Sequence, residues 1–189
     1  MFSQIFKCSV CTINNLYVIG NTELLNHQNI VGVSGSRKID KKSAEWLRST
    51  LKTLEPKVLV SGLAFGADTV AHRYGIKNKI KQIAILPSGF DNIYPKVNTK
   101  IAKQIIKDGG CLVSQLPPNK KASKSSFVKR NKIIADLSSK LIIPQCKIKS
   151  GTMHTVNFAR NNNIPIIVQN ADYSGNQFIL NDYHLSQSQ

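Results

Sequence analysis

Acidic residues are scarce in this chain. Asp and Glu number 10 against 26 Lys and Arg, which gives 189 residues a formal net charge of +16. The segment from Arg37 to Arg160 holds 25 of the bases and seven of the acids, so the positive excess lies in the middle of the chain. A field of this sign attracts polyanions. The charge therefore predicts nucleic acid or another polyphosphate as the ligand. The alternative is that the lysines lie on exposed helix faces and serve only solubility.

Cysteines and long apolar runs are also few. Cys8 and Cys11 form a C-x-x-C pair, but no second such pair or His pair completes a zinc set, so no metal site is predicted. Cys111 and Cys146 lie in apolar runs and are expected in the core. No run of 18 apolar residues exists, and the N-terminus is a poor signal peptide. We therefore expect a cytoplasmic protein with reduced cysteines and no membrane partner.

Short apolar runs alternate with helical patterns along the middle of the chain. The runs at 30–34, 57–61, 82–86, 111–114, 140–144 and 164–168 resemble strands buried on both faces. Helical patterns lie between them at 40–54, 67–77, 97–108, 127–138 and 152–161. This alternation predicts an α/β fold, a doubly wound and mostly parallel sheet of about six strands with helices on both faces. The domain spans 30–169, with an N-terminal extension at 1–29 and a C-terminal tail at 170–189.

Two loops with glycines follow the first two predicted strands. Gly35 permits a tight turn in "SGSRK", where Ser36 offers a hydroxyl and Arg37 a fork of donors that matches phosphate. In "SGLAFGADTVAH", Gly62 and Gly66 let the backbone approach a ligand. Asp68 falls in the first turn of the next helix, either as a helix cap or near a ligand, and His72 is expected to be packed. The dinucleotide fingerprint G-x-G-x-x-G is missing, so no cofactor is predicted.

Later loops add bases, hydroxyls and aromatic side chains at the same predicted edge. Ser150, Gly151 and Thr152 at a helix start form an anion site or an ordinary N-cap. Tyr94 and Phe127 are candidates for base stacking. Three cations lie near another predicted helix start, where they interact unfavourably with the helix dipole, and a bound anion would offset that cost. The residues of this group, which includes one amide, are Lys129, Arg130, Asn131 and Lys132. Because the carboxyl ends of parallel strands meet at one edge, these loops together predict a basic anion-binding groove.

The order of these motifs resembles the DprA/Smf family (DNA-processing protein A), which lies within the SLOG superfamily. The resemblance runs from about Leu16 to Val168 through "GSR", "SGLAFGAD", "GFDNIYP", "CLVSQLP", "FVKRNKII" and "SGTMHT". It implies a Rossmann-like domain and a protein that binds single-stranded DNA and loads RecA onto it during natural transformation. It also implies DNA contacts from Arg37, Arg130, Asn131 and Lys132, phosphate binding by the serine and glycine motifs, and a homodimer formed through the sheet edge.

The chain departs from the family pattern at two carboxylates. Gln115 stands where S-E-x-P has Glu, and Gln145 ends the run before "SGT" where Glu is usual. These changes make the groove more positive but remove groups that could position a base or ribose. The chain is also too short for the family's accessory helical domains, which leaves full transformation activity open.

Two other functions remain open from the sequence. A sensor of a small nucleotide would use the same groove, with Gln115 and Gln145 contacting a base or ribose. A nucleotide phosphoribohydrolase of the LOG type would need a glutamate where Thr155 stands. Because paired carboxylates, a catalytic triad and a metal cluster are all missing from the sequence, no catalytic residue is predicted and the enzyme hypothesis is disfavoured.

Overall fold

A computed structural model describes residues 11–13 and 15–186 of the chain. These residues form one sheet of eight strands and six α-helices. The strands are β1 (Cys11–Ile13), β2 (Leu16–Gly20), β3 (Ile30–Val33), β4 (Val58–Ser61), β5 (Lys81–Leu86), β6 (Cys111–Ser114), β7 (Lys140–Ile143) and β8 (Ile166–Val168). The helices are α1 (Lys41–Leu54), α2 (Ala67–Lys77), α3 (Thr99–Lys107), α4 (Lys124–Leu137), α5 (Thr152–Asn161) and α6 (Ser174–Ser186).

The strand order creates a crevice next to β3. The order is β1-β2-β6-β5-β4-β3-β7-β8, with β3 through β8 mutually parallel and β1 and β2 antiparallel to their neighbours. The chain moves from β3 outward in one direction through β4, β5 and β6, and then returns to the other side of β3 as β7. The loops after β3 and β7 therefore diverge, which is where open α/β sheets bind ligands.

The α/β, mostly parallel architecture predicted from the sequence is confirmed, but the strand count of about six is too low. All six predicted runs are found, as β3 to β8. The two further strands come from the segment assigned to the N-terminal extension, where β2 buries Val18 and Ile19 and pairs with β6. The apolar run at 16–19 is as long as those of the predicted strands, so the sequence does carry a signal for β2, whereas β1 has only three residues. In the segment assigned to the tail, 174–186 form α6.

The core has two layers, one on each face of the sheet. Alternate residues of β5 divide between them, since Ile83 and Ile85 pack toward α4 and α5 while Ala84 and Leu86 pack toward α3. On this second face α1 and α2 cover β3, β4 and β7. Strands covered on both faces need apolar residues at every position, which explains the continuous runs in the sequence. Ile179 of α6 is fully buried in the first layer.

Local capping sets the helix boundaries. Ser123 and Ser126 form a capping box, so α4 begins at Lys124, three residues before the predicted start. Residues 96–98 form a 3-10 turn, and α3 begins only at Thr99. α3 ends at Lys107, one residue before the end of the predicted pattern, and Gly109 follows with a φ of +77° and donates its N–H to the Ile106 carbonyl.

Candidate nucleic-acid interface

A cavity of about 420 Å³ lies at the crevice beside β3, between the loops after β3, β4 and β7 and the start of α4. We call it the central cleft. It contains ten of the residues singled out from the sequence: Gly35, Ser36, Arg37, Asp68, Phe127, Arg130, Asn131, Ser150, Gly151 and Thr152. Residues from the loops after β3 and β7 and from the helices α2, α4 and α5 thus meet around a single space.

The loop that carries Arg37 is pinned on both sides by backbone hydrogen bonds. The Ser36 N–H donates to the Gln145 carbonyl at 2.8 Å, and the Ser36 carbonyl accepts from Ala67 N–H at 3.1 Å. The Ser36 hydroxyl accepts from the Lys38 N–H at 3.1 Å. The Arg37 side chain is exposed, and its guanidinium lies 5.0 Å from the centre of the Phe127 ring. A loop fixed by hydrogen bonds thus presents an exposed cation at the mouth of the cleft, next to an aromatic ring.

Arg130 forms the inner wall of the cleft. It is only 6% exposed, and its Nη1 lies 3.3 Å from an Asp68 carboxylate oxygen. Burial lowers the pKa of Arg130, while the charge of Asp68 and its hydrogen bond act in the opposite direction. Arginine remains protonated even so. Its Nε has no hydrogen-bond partner, so this buried cation keeps a donor for a ligand.

Gly62 and Gly66 leave the space that Arg130 and the Arg37 loop occupy. A Cβ at Gly62 would stand 1.0 Å from Nη1 of Arg130, so only glycine leaves room for the guanidinium. At Gly66, with φ +71°, a Cβ would stand 2.1 Å from the Ser36 carbonyl oxygen. Both glycines therefore allow other groups to approach the backbone closely, and neither lines the cleft itself.

Asp68 has a different role from the helix cap considered in the sequence. α2 begins after Gly66 without a side-chain cap, although Asp68 does lie in its first turn. The Asp68 carboxylate accepts from the Ala64 N–H at 3.2 Å and from Arg130. It therefore fixes the loop before α2 against Arg130. His72, one turn later, is fully buried with Nδ1 2.8 Å from Gln82, as expected for a packed residue.

The start of α5 forms the third wall. The Asn131 amide donates to the Gly151 carbonyl at 2.9 Å, which ties α4 to this turn. Gly151 is exposed, and no side chain caps the helix there. The Ser150 hydroxyl is buried without a hydrogen-bond partner. An uncapped helix start with a spare hydroxyl suits an anion.

The structure places the other predicted residues elsewhere. Lys129, Lys132 and Gln115 line a second cavity of about 380 Å³, which shares Arg130 with the central cleft and which we call the glutamine cleft. Lys132 donates to Asp136 at 2.7 Å. The Gln145 side-chain oxygen accepts from the Asp40 N–H at 2.9 Å, so it supports the start of α1 instead of facing the cleft.

The third cavity is the largest of the three described and lies beyond Phe127. It has a volume of about 870 Å³, and Tyr94 and Phe127 line it, so we call it the tyrosine cleft. The Tyr94 and Phe127 rings meet edge to face with their centres 5.7 Å apart. Phe127 thus borders both this cleft and the central one.

Sequence reasoning missed Lys147 in the central cleft. Lys147 is exposed and lines the cavity together with Ser34 and Ala64. Its position a few residues after β7 is the signal that could have identified it, because that loop faces the crevice. With Lys147, the described residues give the central cleft three cations and one carboxylate, and that carboxylate already contacts Arg130.

The described residues include no group of three or more His, Cys, Asp or Glu side chains that could hold a metal ion. The C-x-x-C pair falls outside this description, because Cys8 lies among residues that the structure leaves out. Cys111 and Cys146 are buried free thiols, and burial raises the pKa of each to about 12. Within 11–13 and 15–186, no helix is both long and apolar enough to span a membrane.

Comparison with known proteins agrees with the motif order. The family profile of DNA recombination-mediator protein A matches residues 3–182. The DNA processing protein DprA of Streptococcus pneumoniae is 37% identical over 141 residues, which are 74% of this chain and 49% of that protein. This chain spans about half the length of the curated relatives it matches first, including Protein Smf of Borreliella burgdorferi.

Two solved structures share the fold. The X-ray structure of Streptococcus pneumoniae DprA superposes with a TM-score of 0.79 at 32% identity, covering 92% of this chain and 60% of that one. DNA processing protein A from Helicobacter pylori, described for its mode of binding single-stranded DNA, also gives 0.79 at 31% identity, covering 89% of this chain and 79% of that one.

Proposed function

Because this chain belongs to the DNA recombination-mediator protein A (DprA/Smf) family, we propose that it binds single-stranded DNA in the central cleft. The observation that carries the proposal is the meeting of three cations, Arg37, Arg130 and Lys147, around one cavity at the sheet crevice. The one carboxylate there, Asp68, is engaged by Arg130. The cleft therefore has a net positive charge, and Arg37 and Lys147 are not paired with its one carboxylate.

The cations divide the work of binding a strand. Arg37 and Lys147 are exposed and can contact backbone phosphates at the mouth of the cleft. Arg130 is held in place by Asp68 and meets a phosphate at the bottom of the cleft, where the Ser150 hydroxyl and the start of α5 add neutral donors. Phe127, half-buried between them, offers a ring on which a base can stack.

The test is a titration of labelled oligo-dT followed by fluorescence anisotropy. Arg37→Ala removes an exposed cation from the cleft and should weaken binding at least tenfold, whereas Arg48→Ala removes another exposed cation, on α1, that lines none of the three clefts. Arg48→Ala should leave the affinity within about twofold of wild type. Equal effects of the two substitutions would mean that the central cleft is not the site.

A small nucleotide is the second candidate ligand for the same cavity. The observation that favours it is the pair of buried, unpartnered polar atoms, Nε of Arg130 and Oγ of Ser150. Such atoms are costly unless a ligand satisfies them. A thermal-shift comparison of nucleoside monophosphates with oligo-dT separates the candidates, since a sensor should be stabilised more by one particular nucleotide than by any oligonucleotide.

We further propose a binding role without catalysis. Thr155, at the position where the phosphoribohydrolase motif has glutamate, is fully buried with its hydroxyl 3.3 Å from that of Ser34. It is therefore occupied in packing. Release of free base from a nucleoside monophosphate would contradict this part of the proposal.

The relatives support a proposal about the wider role of this protein. We propose that the protein acts on single-stranded DNA in the cytoplasm, in transformation or recombination, as a homodimer and with RecA as a partner. Sedimentation with and without RecA and DNA tests both associations. A monomer that leaves RecA filament assembly unchanged would restrict the role to DNA binding or protection.

A further inference from the structure

The tyrosine cleft has no assigned role, yet its walls resemble those of a nucleic-acid site. The exposed aromatic on its surface is Tyr94, which is 45% exposed, and the buried Phe90 and Ile93 form its floor. An exposed tyrosine over an apolar floor offers a flat face for a base.

The rim of this cleft is strongly basic. Among the described residues that line it, one is acidic, Asp91, and four are lysines: Lys96, Lys103, Lys121 and Lys124. Three of these lysines are exposed. A groove with aromatic walls and a cationic rim has the composition of a site for single strands, in which bases stack and phosphates meet cations.

Hydrogen bonds between two loops hold the cleft open. The Gly89 N–H donates to the Lys120 carbonyl at 2.8 Å, and the Asp91 N–H donates to the Pro118 carbonyl at 2.9 Å. The Asn92 amide donates to the Asn119 carbonyl at 2.9 Å. Because the loops after β5 and β6 are joined in this way, a ligand would not have to organise the cleft on binding.

Phe127 connects this cleft with the central one. The Arg37 guanidinium lies 5.0 Å from the Phe127 ring centre, and the Tyr94 ring lies 5.7 Å from it. The phosphate-binding cation of the central cleft and the exposed ring of the tyrosine cleft therefore contact the same side chain. A strand that leaves Arg37 meets Tyr94 next.

We propose that the tyrosine cleft is a second nucleotide subsite, in which a base stacks on Tyr94 and the flanking phosphates contact the lysine rim. This rests on the proposed binding of single-stranded DNA in the central cleft. A short oligonucleotide fills the central cleft alone, and a longer one continues over Phe127 into the tyrosine cleft. Affinity therefore rises with length until both clefts are filled.

The test measures the binding of a dT trinucleotide and a dT dodecanucleotide to each variant by anisotropy. Tyr94→Ala should weaken the dodecanucleotide about five- to tenfold, the loss of one stacked base, and leave the trinucleotide unchanged. The double variant Lys121→Ala/Lys124→Ala should also weaken binding of the dodecanucleotide and leave the trinucleotide unchanged. It tests the lysine rim independently of Tyr94. Tyr94→Phe should retain the wild-type affinity for both lengths.

Phe65→Ala is the matched control, because Phe65 is 46% exposed on a neighbouring loop and lines none of the three clefts. It should change neither affinity. In Tyr94→Trp, quenching of fluorescence by the dodecanucleotide, beyond that of the single native Trp46, would report stacking directly.

The outcomes separate the two proposals. If Arg37→Ala weakens both lengths while Tyr94→Ala and the lysine pair weaken neither, the central site stands and the second subsite is refuted. If Arg37→Ala changes neither length, the proposed function itself fails. Loss of binding in Phe65→Ala equal to that in Tyr94→Ala would also refute the subsite, because exposed aromatics in general would then be responsible.

Discussion

The ion pair between Asp68 and Arg130 joins α2 to α4 beneath the central cleft. Both side chains are less than a tenth exposed. Removing one partner from a buried pair leaves the other charge unsatisfied, so Asp68→Asn should lower the free energy of unfolding by about 3 kcal/mol, measured by urea denaturation. It should also weaken binding of oligo-dT, because Arg130 loses its support.

Asp136→Asn provides the control for this substitution. Its carboxylate contacts Lys132 at 2.7 Å, but both side chains are more than a third exposed. Exposed pairs of this kind contribute little, so the loss should stay below about 1 kcal/mol. Equal losses in the two variants would show that the buried pair has no special role in stability.

His72 makes the stability of the fold depend on pH. Burial lowers the pKa of this fully buried side chain below its ordinary value of 6.5. Below pH 6.5 the unfolded chain binds a proton that the folded chain does not, so folding stability falls as the solution becomes more acidic. The slope contributed by one such group is at most about 1.4 kcal/mol per pH unit.

The prediction is that His72→Gln removes this part of the slope, as measured by urea unfolding at several pH values below neutrality. His154→Gln is the control, since that side chain is exposed on α5. It should keep the wild-type slope. A slope that persists unchanged in His72→Gln would assign the pH dependence to other groups.

At the scale of elements, the turn from β4 into α2 depends on Gly66. Its φ of +71° and the nearby Ser36 carbonyl exclude a side chain. Gly66→Ala should therefore lower the free energy of unfolding by more than about 1 kcal/mol. Gly151→Ala is the matched control at another helix start, because a Cβ there meets nothing within 4 Å and φ is −59°. It should stay within about 1 kcal/mol of wild type.

The sequence predicts the strands and helices better than it predicts which cleft each side chain lines. The six parallel strands were readable because burial on both sides demands continuous apolar runs. The sequence predicts Lys129, Arg130, Asn131 and Lys132 as one group, yet the helical period of α4 turns Asn131 into the central cleft and Lys129 and Lys132 toward the glutamine cleft, while Arg130 lines both. The period of 3.6 residues could have shown this split.

Other features depend on contacts between distant segments that no local pattern records. The partner of Arg130 is Asp68, 62 residues earlier in the chain. Gln145 accepts from the backbone of Asp40, 105 residues away, although its position after β7 suggested a ligand contact. Lys147 is one of many lysines in a lysine-rich chain, and only the position of its loop, after β7 and at the crevice, distinguishes it from the others.

At the scale of the whole molecule, a net charge of +16 should make DNA binding sensitive to salt. For single strands the logarithm of affinity falls by about 0.7 for each phosphate contacted, per logarithmic unit of salt. Lys147→Ala should reduce that slope by about 0.7 and weaken binding to different sequences equally, as seen in titrations between about 50 mM and 200 mM salt. An unchanged slope would place Lys147 outside the contact.

The pairing of β2 with β6 has a consequence for synthesis on the ribosome. Tyr17 to Gly20 pair with Cys111 to Ser114, so the first of these strands leaves the exit tunnel long before its neighbour has been translated. At roughly 5–20 residues per second, the delay is on the order of five to twenty seconds. During this interval Val18 and Ile19, which enter the two opposite core layers in the folded protein, lack the β6 strand that they later pair with.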